Sequence, residues 1–375
     1  MAVRRPRPHA IDGSVIELCE FYPGIVAHFT RGGETWGSAG YRILRRSSGG
    51  PWSTAARLPA SSLQRLSSAA PWLHLGLRLG IHHLLELRSG TLLATTSGVL
   101  YRRGVDEAAF SPVHAFDGFR KPTRWGIEED RQGRVYLAEY SLNPDRSRPM
   151  RVWRSDDDGQ RFREVFRFQA GDVRHIHFLQ TDPHDGSLWM GTGDADEEAA
   201  LFRSEDGAET FECLGRGDQR WRATCVAFGD RSVLWGTDAG RDAGGFENRI
   251  LRLERASGRL EELERVQGPV HGVTRTRAGG YLVSTGIEDG ENESDRCAHL
   301  WFSRDGETWS DIAAFARGSQ PRKIQYGVIH FVAAQAESED VYLTLRGLRG
   351  CALGTFRVEL RDSGSSPNSS LETAR

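Results

Sequence analysis

The chain has 375 residues, of which 38% are hydrophobic, so it is long enough to bury a sizeable core. Its 49 Lys and Arg residues nearly balance its 51 Asp and Glu residues, and the formal net charge is −2. A general nucleic-acid binder needs an excess of basic residues, so this balance argues against that function. We find no apolar run of about 18 residues and expect no membrane span.

Cysteine usage and the N-terminal segment favour the cytoplasm. The five cysteines are an odd number and include no CxxC pair. This pattern indicates a reducing compartment rather than a disulfide framework or a zinc ribbon. The N-terminal segment is basic but lacks a continuous apolar stretch, so we expect no secretory signal.

Strand-like runs recur in pairs along the chain, and each pair is joined by a turn rich in Gly, Asp or Ser. The pairs occupy residues 82–97, 125–141, 176–194, 224–240, 271–289 and 328–347. Short strands at even spacing with turn signals between them predict an all-β protein. A third and a fourth run follow, and four strands in about 40–50 residues is the period of a propeller blade.

The period predicts a β-propeller of four-stranded blades. Seven segments fit it, at residues 15–60, 80–117, 122–168, 172–215, 221–267, 270–315 and 323–361. Seven blades are favoured, and six are the alternative if 15–60 only supplies closing strands for the last blade. We therefore predict one domain over 1–361, with an insertion at 59–76 that can hold a short helix. The polar, Ser-rich tail at 362–375 is predicted to be disordered.

A turn motif ends the third run in several of these segments. Residues 155–162, 204–211 and 303–309 share the pattern S-x-D-(x)-G-x-x-[FW]. Ser and Asp side chains at a hairpin tip hydrogen-bond the amides of the turn, and Gly supplies its positive φ. The aromatic residue packs under the turn. We interpret the motif as structural.

These segments resemble the Asp-box (BNR) repeats of sialidase-like β-propellers, and residues 46–52 are a weaker match. The resemblance covers about residues 15–361 and implies propeller geometry. It does not specify an activity, because Asp-box propellers include glycosidases, polysaccharide lyases, assembly factors and sorting receptors. The Arg-Ile-Pro motif of sialidases is replaced here by the sequence YRIL at 41–44, so no sialidase nucleophile is carried over.

The repeat register also predicts where a binding site lies. In a propeller, the starts of the innermost strands and the ends of the second strands share one face. Most predicted blades place Arg or His at the start of the innermost strand and a carboxylate at the end of the second strand. This combination suits a polyhydroxylated ligand with an acid group. The predicted substrate-binding residues are Arg124, Trp125, Arg174, Arg222, Asp238, Arg241, His271 and Tyr326.

A second set is predicted to be catalytic: His175, His177, Glu139, Tyr140 and Asp194. His175 and His177 lie two residues apart, so on a strand they share a face. Such a pair can ligate a metal or serve in acid–base chemistry. The candidate metal ligands are His83, His177, His271 and His330. No cofactor is required by the sequence, and a divalent metal is one option.

We favour an enzyme that cleaves a glycosidic bond in an acidic sugar or oligosaccharide by hydrolysis. Two carboxylates drawn from Glu139, Asp194 and Asp238 would flank the bond. Arg174 and Arg222 would hold the acid group of the sugar.

One alternative is a lyase on uronic-acid chains. His175 or His177 would remove the proton next to the carboxylate, and Tyr140 or Tyr326 would protonate the leaving oxygen. The His-rich centre resembles that of intracellular propeller lyases on oligouronides. A second alternative is a propeller without catalytic activity that binds a partner.

Overall fold

A computed structural model describes residues 9–10, 15–68, 79–96, 98–116, 122–319, 326–333 and 340–361 of the chain. Antiparallel strands dominate it, and consecutive strands pair with each other in sheets of four. The first two strands, β1 (His9–Ala10) and β2 (Val15–Pro23), instead pair with strands from the C-terminal third of the chain.

Five separate four-stranded sheets follow along the chain. The first contains β3 (Val26–Arg31), β4 (Glu34–Ala39), β5 (Arg42–Ser47) and β6 (Ser53–Arg57). The second contains β7 (His83–Glu86), β8 (Leu92–Thr96), β9 (Val99–Arg103) and β10 (Ser111–Ala115). The third contains β11 (Ile127–Glu129), β12 (Val135–Ala138), β13 (Met150–Ser155) and β14 (Arg163–Phe168). The fourth contains β15 (His175–Thr181), β16 (Leu188–Gly193), β17 (Ala200–Ser204) and β18 (Glu212–Arg216). The fifth contains β19 (Ala227–Phe228), β20 (Ser232–Gly236), β21 (Arg249–Glu254) and β22 (Leu260–Arg265).

The remaining strands form two further groups of four that are bridged to each other. The first group contains β23 (Val270–Arg275), β24 (Tyr281–Ile287), β25 (Cys297–Ser303) and β26 (Ser310–Ala316), and β1 pairs with β26. The second contains β27 (Gly327–Phe331), β28 (Val341–Leu348), β29 (Cys351–Arg361) and the N-terminal β2. A short pairing of β24 with β27 joins the two groups into one nine-stranded sheet.

Helical structure is sparse in the described residues. The helix α1 (Ser62–Ser68) lies in the predicted insertion at 59–76, of which residues 69–76 are outside the described part. Two short 3-10 helices, Gln219–Trp221 and Arg241–Ala243, follow strands of the fourth and fifth sheets. The predicted tail at 362–375 also lies outside the described residues.

Burial falls from the second strand of a sheet to the fourth. All residues of β8, β12 and β16 are buried, whereas β6, β10 and β18 are mostly exposed. The second strands therefore have protein on both faces, which explains their continuous apolar or small sequences. Apolar clusters fill the space between neighbouring sheets. This arrangement is that of a multi-bladed β-propeller, as the repeat period predicts.

Aromatic residues strengthen the contacts between sheets. Trp235 is fully buried, and its ring stacks on Trp221 with centroids 5.8 Å apart. Its indole Nε1 donates a hydrogen bond to the backbone oxygen of Arg220 at 2.8 Å. Truncation of such a side chain to alanine costs about 3–5 kcal/mol.

The N-terminal strand closes the fold. Strand β2 pairs with β29 from Val15–Arg361 to Pro23–Gly354, so the two ends of the described chain share a sheet. The segment 15–60 therefore divides between two sheets: residues 15–23 complete the last one, and residues 26–57 form a sheet of their own. The count of seven blades stays a prediction.

The repeated turn motif has the local structure that its residues predict. The Oγ of Ser204 donates to Asp206 Oδ1 at 2.8 Å and accepts from the backbone N of Ala208 at 2.9 Å. The other two copies, at residues 155 and 303, repeat these contacts. Trp309, which ends the third copy, is only 8% exposed. Each turn joins a third strand to a fourth, at the end of the sheet opposite to the predicted site. Membership of the Asp-box class stays a prediction.

Candidate active site

A cavity of about 800 Å³ opens where innermost strands begin and second strands end. Most of the predicted site residues line it, namely Arg124, Trp125, Tyr140, Arg174, His175, His177, Asp194, Arg222, Asp238, Arg241, His271, Tyr326 and His330. The lining also includes Thr123, Leu142, Thr224, Asp242 and Glu288. The topology thus collects in one cavity residues that lie as far apart in sequence as 123 and 330.

Two predicted residues do not line this cavity. Glu139 is 1% exposed, and its carboxylate accepts hydrogen bonds from the backbone N of Arg151 at 3.1 Å and from the indole of Trp153 at 3.2 Å. Successive residues of an extended chain point to opposite faces, so Tyr140 lines the cavity and Glu139 faces its own sheet. His83 lies on β7, outside the cavity lining.

A glycine allows His177 of β15 to approach neighbouring groups closely. The pairing of β15 with β16 contains a bulge between Ile176 and Phe178, which changes the register at His177. A Cβ atom on Gly193 would lie 3.0 Å from the imidazole of His177 and 2.9 Å from the side chain of Arg222. The glycine is therefore required for this close approach.

The two imidazoles converge on one point. Their Nε2 atoms lie 3.0 Å apart, and Asp194 Oδ1 lies 3.4 Å from that of His175 and 3.3 Å from that of His177. The Nδ1 atoms lie 3.0 Å from the backbone oxygens of Ser141 and Ala223. A carbonyl oxygen can only accept, so each Nδ1 carries a proton. When such a ring is neutral, its Nε2 presents a lone pair, which is the form that a metal ion requires.

This arrangement fits a metal ion. Two donor atoms bound at about 2.1 Å to one ion lie about 3.0 Å apart at a right angle and about 3.4 Å apart at the tetrahedral angle. The three separations between His175, His177 and Asp194 span the same interval. The hydrogen bonds to backbone carbonyls are those that hold ligating imidazoles in place in metal sites. We name this set the HHD triad. Imidazole and carboxylate donors suit Zn²⁺, Mn²⁺, Fe²⁺ and similar ions.

Asp194 is also held by two arginines. Arg174 contacts its Oδ2 at 2.5 Å, and Arg222 contacts its Oδ1 at 3.1 Å. Burial alone would raise the pKa of Asp194, but hydrogen bonds and charge from the two histidines of the triad, in the form that carries a proton on Nε2, outweigh it and hold that pKa well below its usual range. Burial lowers the pKa of His177, which favours the neutral imidazole that a metal requires.

A second cluster of acid and base lies beside the triad. His271 Nε2 lies 3.4 Å from Glu288 Oε1 and 4.0 Å from Asp238 Oδ1. Both Asp238 Oδ1 and His271 Nε2 are buried, and among the described residues Asp238 Oδ1 accepts no hydrogen bond. Burial raises the pKa of Asp238 to about 7, although Arg222 at 3.7 Å opposes the shift. Burial lowers the pKa of His271, but the hydrogen bond to Glu288 and the charge of Asp238 outweigh it and raise that pKa.

The four histidines that the sequence offers as candidate metal ligands do not lie in one group of potential ligands within the described residues. His177 joins the HHD triad, and His271 joins Asp238 and Glu288. His330 lines another part of the cavity, and within the described residues it belongs to no group of potential ligands. The histidines come from different strands, and only spacing within one strand could be evaluated from the sequence.

Aromatic side chains form part of the wall. The ring of Tyr140 lies against that of His175, with centroids 4.2 Å apart. Tyr326 is 39% exposed and lies 5.9 Å from the ring of His271. Burial raises the pKa of Tyr140 to about 12, so its hydroxyl stays protonated near neutrality. Trp125 offers a further apolar surface of the kind on which sugar rings stack.

No protein-family model matches the chain, and no curated protein matches it. Solved structures do. An oligogalacturonate lyase in complex with manganese aligns with a TM-score of 0.61 and 9% identity over 96% of this chain and 97% of the lyase. A virginiamycin B lyase from Staphylococcus aureus aligns with a TM-score of 0.55 and 13% identity over 95% and 99% of the two chains. A GH74 xyloglucanase from Xanthomonas campestris aligns with a TM-score of 0.56 and 15% identity over 92% of this chain and 52% of the xyloglucanase. At these identities the likeness establishes the propeller fold alone.

Within the part of the chain that the structure describes, every helix is too short or too polar to cross a bilayer.

Proposed function

We propose that this protein is an enzyme that cleaves a glycosidic bond in an acidic oligosaccharide by β-elimination, with a divalent metal ion held by the HHD triad. The observation that carries the proposal is the convergence of two imidazole lone pairs and one carboxylate oxygen within 3.0–3.4 Å of one another. Both imidazoles are fixed in that orientation by backbone carbonyls. When bound, the metal would supply positive charge that stabilises a substrate carboxylate as the neighbouring C–H bond breaks.

The second cluster supplies a base. Asp238 Oδ1 and His271 Nε2 are buried and 4.0 Å apart, and among the described residues Asp238 Oδ1 accepts no hydrogen bond. One of them takes the proton from the carbon next to the substrate carboxylate. The electron pair forms a double bond to the adjacent carbon, and the glycosidic C–O bond at that carbon breaks. Tyr140 or Tyr326 then protonates the leaving oxygen, which completes the elimination.

Of the two roles that the sequence left open for the histidines of β15, this assignment takes metal ligation and not removal of the substrate proton. With both Nδ1 atoms donating to carbonyls and both Nε2 atoms turned toward Asp194, His175 and His177 act as ligands. A base needs an acceptor that faces the substrate, and the second cluster offers one.

Hydrolysis remains the second candidate, supported by one observation. Asp238 is a buried carboxyl group whose pKa is raised to about 7, which is the property of a general acid in glycosidases. Elimination is preferred because two of the three carboxylates on which hydrolysis depends are engaged. The carboxylate of Glu139 is hydrogen-bonded within its own sheet, and that of Asp194 faces two histidines and two arginines.

The test uses oligosaccharides of uronic acids with the purified protein and added Mn²⁺ or Zn²⁺. Elimination creates a conjugated double bond that absorbs in the ultraviolet, whereas hydrolysis releases reducing ends without that absorbance. We expect the absorbance to rise, to stop with a chelator, and to be lost in His177→Ala. The matched control is His184→Ala, which removes a partly exposed histidine from a turn. Reducing ends without absorbance would establish hydrolysis, and neither product would leave a binding function.

A further inference from the structure

Within the described residues, one arginine near the C-terminal end of the chain has no hydrogen-bond acceptor and no ion-pair partner. Arg346 lies on β28 opposite Val328, and its Nε is buried without a hydrogen-bond acceptor. Among the described residues no carboxylate forms an ion pair with it. Buried guanidinium groups normally pair with an anion, because removing the charge from water is unfavourable.

A second arginine, Arg124, interacts with the charge of Arg346 and reaches strands of two other sheets. Arg124 precedes β11 in the third sheet, yet its Nε donates to the backbone oxygen of Phe331 at 2.8 Å and its guanidinium donates to that of Ala27 at 2.6 Å. Those oxygens belong to strands of the last and the first sheets. Arg124 lines the cavity. Like Arg346, it forms no ion pair with a carboxylate of the described residues.

The surroundings of both groups are positive. Burial and the charge of Arg346 lower the pKa of Arg124 to about 9, and burial lowers that of Arg346 to about 10. Burial and the same two arginines hold the pKa of His28 and His330 well below the usual range. The carboxylates of the cavity that pair with arginine contact Arg174 and Arg222 instead.

We propose that Arg346 and Arg124 form a carboxylate-binding site, separate from the HHD triad, that holds the acid group of a sugar. The sugar identity rests on the proposed function, whereas the need for an anion rests on the two arginines alone. Guanidinium groups bind carboxylates through paired N–H donors, and within the described residues the buried Nε of Arg346 has no acceptor. If the triad and the two arginines each bind one acid group, the enzyme would select chains that carry acid groups on more than one residue.

Arg346→Gln tests the site, with Arg346→Lys to retain charge without the fork and Arg259→Gln as a matched surface control. Arg259 is 61% exposed and pairs with Glu254 and Glu261.

The probes are glucuronate, glucose and inorganic sulfate, each added while thermal unfolding and calorimetric binding are measured. We expect glucuronate and not glucose to bind the wild type, and Arg346→Gln to weaken it roughly tenfold to a hundredfold. Arg346→Lys should give an intermediate loss. Without probe, Arg346→Gln should melt at a higher temperature than the wild type, because an unpaired buried charge has been removed.

Several outcomes overturn the site. One is equal binding of glucuronate by the wild type and Arg346→Gln, and another is stabilisation by sulfate with no effect of glucuronate. The proposed function fails separately. If glucuronate binding depends on Arg346 but no elimination product forms, the site stands and the reaction does not. If elimination proceeds with the same KM in Arg346→Gln, the reaction stands and the site does not. Mn²⁺ binding should be unchanged in all three variants, which shows that they fold.

Discussion

Asp238 is a buried carboxyl group whose ionised form the folded protein disfavours, and Asp238→Asn measures by how much. The pKa rises from 3.8 to about 7, chiefly through burial. At about 1.4 kcal/mol per pKa unit, this corresponds to a destabilisation of at most about 4 kcal/mol when the group ionises. In the interval between the two pKa values the unfolded chain has lost the proton and the folded chain has kept it. The free energy of unfolding of the wild type therefore falls as the pH rises from about 4 to about 7.

The asparagine variant lacks this titration, so the difference between the two proteins should change with pH. Urea unfolding at several pH values, followed by the fluorescence of the ten tryptophans, gives both free energies. We expect the free energy of unfolding of the variant to increase relative to that of the wild type as the pH rises to 7. Above pH 7 the difference between the two should stay constant. The gain should remain below about 4 kcal/mol, because His271 titrates beside Asp238 and compensates in part.

The control is Asp242→Asn. That carboxylate also contacts Arg222, at 3.1 Å, but its side chain is 45% exposed. The free energy of unfolding of Asp242→Asn should stay within about 1 kcal/mol of the wild-type value over the same pH range. A pH-independent difference for Asp238→Asn, or one that falls toward pH 7, would refute the reasoning that burial dominates at Asp238.

Three further predictions concern the metal, the sheet and the turns. Saturating Mn²⁺ or Zn²⁺ should stabilise the wild type by about 3 kcal/mol at a hundred times Kd, as measured by thermal unfolding, and this gain should vanish in His177→Ala and persist in His184→Ala. Glu139→Gln should lower the free energy of unfolding by about 1–3 kcal/mol, because it weakens the hydrogen bonds that the side chain accepts from Arg151 and Trp153. Calorimetry should nevertheless show an unchanged metal affinity. An altered metal affinity in this variant would mean that Glu139 acts at the site. Asp206→Ala removes the acceptor of Ser204 and of two backbone amides, and should cost about 1–2 kcal/mol in urea unfolding with no loss of activity.

The propeller could be predicted because its signals are local and repeated. Strand pairs, turn residues and the S-x-D-G motif recur at a period of about 49 residues, and each copy gives independent support for the same fold. Closure could not be assigned from the same signals. Residues 15–23 look like any other strand, and only tertiary pairing shows that they complete the sheet of β29.

The candidate site could be predicted only in part, for a related reason. His175 and His177 were found from their spacing on one strand, and Asp194 from its position after LWMGTG. Glu139 has an equally suitable position, but the alternation of the chain turns it into its own sheet. The carboxylate of Asp242, which contacts Arg222, follows the predicted Arg241 directly, so the sequence did contain a signal for it.

The arginines show most clearly what register alone leaves undecided. Arg124, Arg174 and Arg222 occupy equivalent positions in three consecutive repeats, and the sequence therefore predicts one role for all three. In the structure, Arg174 and Arg222 neutralise Asp194, whereas Arg124 contacts carbonyl oxygens and pairs with no carboxylate of the described ranges. An arginine whose charge is already paired gains little from a further anion, while an unpaired one gains the full interaction. The charge available to an acidic ligand is therefore set by which sheet also supplies a carboxylate, a property of the assembled ring that no single repeat contains.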